Sequence, residues 1–345
     1  MRVGVIGGTG NISTAVVRLL LERGHDVTCI TRGTSGAAPE GARPLIGDRD
    51  DPEWFGPAVR RQGFDAAIDF VCFTPQQGRA SLEAFQGVGH LVHTSTVVTL
   101  GHSFEWLPVN ETHPVRPVSK YGVLKAAVDR MYLAEYYSRG FPVTIIKPST
   151  TYGRKRLVRQ LGVDTRWISR ILQGRAILKV GDGNAIHHLL HVDDAALGFV
   201  GAVERDACIG QIYHLVNPEH TTWDVVHRTG MAVVGVEVEQ VGVTAETLLA
   251  IDPHKFRMVG DIFAHNLLFS AEKALHEIPE FRPRISLEEG LEDAIGYLLR
   301  EGLLEDVPRG DWEDDIIAAH LSAIAGLRRR RDDLPKGSAA RIGDT

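Results

Sequence analysis

The sequence predicts an α/β protein in which a doubly wound parallel sheet is joined to a smaller C-terminal domain. Three observations predict it. An apolar run over residues 2–6 breaks into Gly7-Gly8-Thr9-Gly10 and then into helical spacing. Strand-like and helix-like segments alternate to about residue 150. Beyond residue 154 the alternation loosens into shorter helices and basic residues.

The elements follow in order. Residues 2–6 read as a buried parallel strand, and residues 14–23 carry apolar side chains at helical spacing before Gly24 stops them. Val27-Thr28-Cys29-Ile30, residues 66–73 and His90-Leu91-Val92-His93-Thr94 read as further strands separated by helical stretches. Residues 121–139 form a long amphipathic helix ended by Gly140, and Val143-Thr144-Ile145-Ile146 is a strand closed by Pro148. Helical spacing resumes at His191-Val192-Asp193-Asp194, where His191 and Asp193 are expected to cap and brace the helix, and leads to the strand Gln211-Ile212-Tyr213-His214-Leu215. The expected division assigns 1–153 and about 187–216 to the sheet domain, and about 154–186 and 217–327 to a substrate-binding domain. Residues 328–345, which open with Arg328-Arg329-Arg330-Arg331, read as a frayed, solvated tail.

Composition narrows the function. A formal charge of −6 lacks the basic excess of a nucleic-acid binder and points to small-molecule chemistry. Cys29, Cys72 and Cys208 are far apart in apolar runs, which predicts buried free thiols and no disulfide or metal site. With no signal-peptide pattern and no spanning apolar run, a cytoplasmic protein without membrane contact is expected.

A glycine turn between a parallel strand and a helix lets backbone N–H groups and the helix dipole meet a pyrophosphate. Gly7, Gly8, Thr9, Gly10, Asn11 and Ile12 are therefore candidate dinucleotide ligands, although Ser13 stands where the fingerprint's last glycine would fall. At the end of the second strand the chain has Thr31-Arg32-Gly33, without the acidic residue that holds the ribose hydroxyls of NAD. Arg32 favours the 2′-phosphate of NADP over NAD. Asp48, after a short predicted strand, is a candidate for the adenine amine or an ordinary turn aspartate.

Tyr121 and Lys125 lie one helical turn apart on one face. A tyrosine of ordinary pKa, about 10, needs a neighbouring ammonium to act as a base near neutrality. Before it, Thr94-Ser95-Thr96-Val97-Val98-Thr99-Leu100-Gly101 closes a predicted strand, and after it come Lys147-Pro148-Ser149-Thr150-Thr151-Tyr152-Gly153 and His191-Val192-Asp193-Asp194. In these motifs and their order the chain resembles the extended short-chain dehydrogenase/reductases, the nucleotide-sugar epimerase and dehydratase family, across about residues 1–200. The resemblance implies a Rossmann domain, Tyr121 as base and acid, Lys125 lowering its pKa and fixing the nicotinamide ribose, and Thr96 orienting the substrate oxygen. It further implies cofactor contacts from Phe70, Pro148 and Thr150, and substrate contacts from Ser95, Thr151 and His187. Relatives pair two subunits through the Tyr121 helix, so Val128, Met131, Tyr132 and Tyr136 point either to a homodimer or to packing within one chain.

The departures from the family are informative. Val97-Val98 follows Thr96 where the dehydratases carry an Asp-Glu pair, and apolar residues cannot serve the acid and base of an elimination. His187 replaces the arginine that grips the substrate diphosphate, a weaker and pH-dependent ligand unless Arg154, Lys155, Arg156 or Lys255 takes over, and with His188 it reads equally as a solvent-facing loop pair. Asp69-Phe70-Val71-Cys72-Phe73 resembles the atypical branch that includes chloroplast RNA-binding proteins, which supplies a non-catalytic alternative. The expected function is a cytoplasmic NAD(P)-dependent epimerase of a sugar, nucleotide sugar or related polyol. The alternative within the family is an NADPH-dependent ketone reductase.

Overall fold

The computed structural model describes residues 1–332. In chain order its elements are β1 (Arg2–Ile6), α1 (Asn11–Glu22), β2 (Asp26–Thr31), β3 (Arg43–Ile46), α2 (Pro52–Arg60), β4 (Ala66–Asp69), α3 (Pro75–Ala84), β5 (His90–Thr94), α4 (Lys120–Arg139), β6 (Val143–Pro148), β7 (Thr150–Tyr152), β8 (Val158–Arg159), β9 (Gly162–Val163), α5 (Arg166–Leu172), β10 (Ile177–Val180), β11 (Ile186–His187), β12 (Leu189–His191), α6 (Val192–Val203), β13 (Ile212–Leu215), β14 (Thr221–Thr222), α7 (Trp223–Val234), β15 (Gln240–Val243), α8 (Ala245–Ile251), α9 (Glu272–Glu277), α10 (Leu287–Arg300) and α11 (Trp312–Asp332). Short 3-10 turns and a π-helical segment, Val259–Phe263, lie between them.

Seven strands form one parallel sheet in the order β13-β6-β5-β4-β1-β2-β3. The chain winds outward through β2 and β3, then restarts at β4 on the other side of β1. The order reverses there, which opens a crevice beyond the C-terminal ends of the strands. Both faces are covered. Val16, Val17 and Leu20 of α1 pack with Phe199 and Val200 of α6 on one side, and Phe55, Val59, Val128 and Tyr132 of α2 and α4 fill the other.

The turn after β1 is fixed locally. Gly7 has φ +76°, and a Cβ there would lie 2.6 Å from Val71 Cγ1. Ser13, in the place of the fingerprint glycine, donates to the Gly7 carbonyl at 2.6 Å and accepts from the Gly10 N–H at 2.8 Å, so it locks the turn. Ser119 caps α4 by accepting from the Gly122 N–H, and Gly140, at φ +67°, ends it.

Beyond β6 the chain leaves the sheet and returns through α6, whose first turn His191 caps by accepting from the Asp193 N–H. Trp167, Trp223, Phe263 and Leu291 centre a second buried cluster, built from residues after β6. One expectation is corrected. Residues 328–332 continue α11 and are no frayed tail; residues 333–345 lie outside the described residues. Val128 and Tyr132 are fully buried in the chain's own core, the packing within one chain that the sequence offered as the alternative to subunit pairing. The three cysteines are free and buried, as read, and no described helix is long and apolar enough to cross a membrane.

Candidate active site

The crevice holds two adjoining cavities of about 480 and 370 Å³ that share Gly7, Gly10, Val71 and Phe73. The larger brings together Asn11, Ile12, Phe70, Ser95, Thr96, Tyr121, Pro148, Thr150 and Thr151, which the sequence had scattered over 140 residues. The smaller gathers Thr9, Thr31, Arg32, Gly33, Thr34, Ser35 and Asp48. Gly8 lines neither: a Cβ there would lie 2.6 Å from Cys29 Sγ, so its role is close packing of the turn on β2.

Lys125 is buried behind Tyr121, outside the cavity lining. Its ammonium donates to the carbonyls of Thr94 at 2.6 Å and Cys72 at 2.7 Å, and lies 6.0 Å from the centre of the Tyr121 ring. Burial lowers its pKa. Burial also pushes the Tyr121 hydroxyl up to about 12, with the Arg156 charge opposing the rise and Asp129 adding to it. The ammonium therefore braces two backbone carbonyls while remaining the nearest lysine charge to the tyrosine ring.

Thr96 begins a 3-10 turn, Val97–Leu100, by accepting from the Val98 N–H at 3.2 Å. Its hydroxyl proton is left for a substrate oxygen in the cavity. Ser95, by contrast, donates to Asp129 Oδ2 at 2.8 Å. Asp129 lies two turns beyond Tyr121 on α4 and meets Lys147 at 2.8 Å and His93 at 3.4 Å. Burial would raise its carboxyl, but Lys147 and His93 outweigh that and hold it at about 2. Asp69, at the end of β4, is likewise buried and receives both oxygens' bonds from Arg49 Nη1 at 2.9 Å. These two ion pairs, missed by sequence reasoning, fix the strand ends beneath the cavities. The helical spacing of Asp129 from Tyr121 was a signal for the first.

His187 is corrected on both readings. It faces neither solvent nor cavity; it is buried 4.8 Å from the Trp223 ring and 5.6 Å from Phe263, and burial pushes it down to about 3. His188 is buried too, hydrogen-bonded to the Asn217 carbonyl and the Phe269 N–H. The candidate replacement cations diverge. Arg154 grips Asp293, Lys155 donates to Thr9 O and Thr14 Oγ1, and Lys255 sits 3.8 Å over the Trp312 ring. Arg156 alone of the four lines the larger cavity, joined across it by Arg257 and Asp261.

The residues fit a dinucleotide. Asn11 Oδ1 and Nδ2, Thr94 Oγ1 and Ser149 Oγ are buried without partners among the described residues, a cost that a polar ligand in the crevice would relieve. Arg32 is exposed and makes no hydrogen bond or ion pair among the described residues. Asp48 accepts from the Asp50 N–H through Oδ1, the turn role, and still faces the smaller cavity.

The sequence of this chain is 30% identical over 248 residues to the 2′-dehydrokanamycin reductase of Streptomyces kanamyceticus, covering 71% of this chain and 70% of that one. It is 24% identical to a chloroplast stem-loop binding protein of 41 kDa from Arabidopsis thaliana, over 92% of this chain and 84% of that one. In structure it resembles the UDP-glucose 4-epimerase of Thermotoga maritima, with a TM-score of 0.74 at 21% identity over 88% of this chain and all of that one. Residues 3–215 match the NAD dependent epimerase/dehydratase family. With that match over the sheet, the glycine turn and the Tyr121 helix, the chain belongs to the NAD dependent epimerase/dehydratase family of extended short-chain dehydrogenase/reductases, and is an NAD(P)-dependent enzyme.

Proposed function

We propose that the protein is an NADPH-dependent reductase acting on a ketone of a sugar or related cyclic polyol. The observation that carries this reading is Arg32, an unpaired guanidinium at the adenosine end of the crevice beside Thr34 and Ser35, where a 2′-phosphate would sit. A cofactor held in its phosphorylated form serves net reduction, and the relative named as a reductase supports the same direction. Two further observations narrow the chemistry. Val97 and Val98 offer no acid or base for elimination. The buried His187 cannot grip a diphosphate, which leaves Arg156 and Arg257 as the cations of the larger cavity for an anionic part of the substrate.

NADPH, when bound, supplies a hydride to the ketone carbon. The chain does the rest. Thr96 donates a hydrogen bond to the ketone oxygen, and Tyr121 gives that oxygen a proton. Asn11, Ser149 and Thr150, which line the larger cavity, would hold the cofactor over the substrate. Ser95, tied to Asp129, keeps the strand end in place.

Epimerisation through a transient ketone is the second reading. It is favoured by the roughly 480 Å³ of space in front of Tyr121, in which a ring can present either face, and by the family's epimerases. A panel of keto sugars and cyclic polyol ketones, scored by loss of NADPH absorbance, tests the proposal. Turnover on at least one, abolished in Tyr121→Phe, is expected; full turnover by Tyr121→Phe sinks both readings.

A further inference from the structure

Thr96 and Tyr121 face the larger cavity from different elements, the 3-10 turn after β5 and the first turn of α4, so their relative placement depends on what joins the two. A circuit of buried hydrogen bonds joins them. Asp129, on α4, accepts from Ser95 Oγ at 2.8 Å and meets the Lys147 ammonium of β6 at 2.8 Å, both through Oδ2. Lys147 also donates to Thr99 Oγ1 at 2.7 Å, and that hydroxyl in turn donates to the Thr96 carbonyl at 2.9 Å. The residue before Thr96 and the residue that holds its carbonyl thus hang on one ion pair. Asp129, Lys147 and Thr99 are buried and line neither cavity of the crevice.

With these bonds α4 grips the strand end at three consecutive residues: Lys125 holds the Thr94 carbonyl, Asp129 holds Ser95, and Lys147 and Thr99 extend the hold to Thr96. Apolar side chains of the same volume would join α4 to β5 and β6 with comparable stability, because a buried ion pair gains little over good packing. They would not fix the rotation of the turn that carries Thr96, which directional bonds do. We propose that Lys147 and Thr99 are positioning residues that act through Thr96, holding its side chain in a single rotamer with the hydroxyl proton free for the oxygen that Tyr121 protonates. The inference rests on the reading of Thr96 and Tyr121 as the pair that engages one substrate oxygen.

The test is NMR of the full chain with its threonine methyl groups isotopically labelled, in which three-bond couplings read the χ1 rotamer of Thr96 and the Thr96→Ser protein identifies its signal. The wild type is expected to show one rotamer. Thr99→Val keeps the side chain's shape and the Lys147–Asp129 pair but removes the hydroxyl; Thr96 is expected to lose its single rotamer there and to regain it in Thr99→Ser. Lys147→Met combined with Asp129→Asn removes both buried charges together, leaves Ser95 an acceptor, and is expected to give the same loss. On a ketone that the protein reduces, Thr99→Val is expected to lower kcat by about ten- to a hundredfold, the cost of a misplaced group, with NADPH affinity unchanged. A single Thr96 rotamer kept in either Thr99→Val or the double variant overturns the proposal, as does an unchanged kcat in a Thr99→Val protein whose Thr96 has lost its rotamer. The couplings need neither cofactor nor substrate, so a protein that reduces nothing in the panel would end the reductase reading while the NMR result still decides this one.

Discussion

Lys125 stands one helical turn from Tyr121, yet its ammonium lies 6.0 Å from the tyrosine ring and is held by the carbonyls of Thr94 and Cys72. The pair is thus a brace as much as a catalytic unit. It ties α4 to the ends of β5 and the segment after β4, and so sets where the Tyr121 hydroxyl meets the cavity. Replacing Lys125 with Met removes both bonds and leaves two buried carbonyls unpaired, at roughly 1–3 kcal/mol each. A urea midpoint well below that of the wild type, together with weakened NADPH uptake, is expected; unchanged stability would show that the brace is not needed.

Arg32→Glu places a carboxylate where the 2′-phosphate is read and leaves the rest of the crevice intact. The ratio of NADPH to NADH affinity is expected to fall by more than about tenfold, with NADH gaining, because one charge-assisted contact is worth roughly 1.5–3 kcal/mol. Fluorescence titration with both nucleotides checks it. An unchanged ratio would remove Arg32 from the cofactor site.

Acid sensitivity follows from the buried histidines. Burial holds His90 and His227 down to about 4, and His187 and His214 down to about 3. In the unfolded chain they bind protons near pH 6.5, so the unfolded state takes up protons that the fold refuses. Their contribution is fully present above about pH 6.5 and declines as pH falls toward 4 and 3, by up to about 1.4 kcal/mol per unit for each. Urea midpoints at pH 7 and 5 should therefore differ steeply, against a total stability of roughly 5–15 kcal/mol. Equal midpoints would contradict these burials.

The C-terminal helix is held by an ion pair that local pattern does not reveal. Arg159 and Glu313, 154 residues apart, are both buried and joined by bonds of 3.0 Å, with Arg170 bonded to Asp311 at 2.7 Å beside them. Glu313→Gln leaves Arg159 buried with Asp164 as its remaining carboxylate, an expected loss of about 3–5 kcal/mol that thermal unfolding would report. A wild-type melting curve would mean that water reaches the pair.

What the sequence made legible was local. The turn at Gly7 to Gly10, the Tyr121 helix with its Gly140 stop, and the alternation of strands with helices are short-range patterns, and the sheet follows from them. What stayed hidden depends on remote partners. Arg154, Lys155 and Arg156 are consecutive and chemically alike, and only Asp293, Thr9 and Thr14, all distant in sequence, draw the first two away from the cavity. His187 looked polar and available because Trp223 and Phe263 come later in the chain. Arg328 to Arg331 read as a tail on charge alone, whereas α11 carries through them.

The central claim is an NADPH-dependent reductase, and the cofactor state of the purified protein tests it most directly. Denaturing the protein and identifying any released nucleotide, then titrating the native protein with NADPH and NADH, is the measurement. An empty protein that binds NADPH reversibly and more tightly than NADH is the predicted result. Release of one tightly held NAD(H) per chain would contradict it and point to an epimerase that regenerates its cofactor in place.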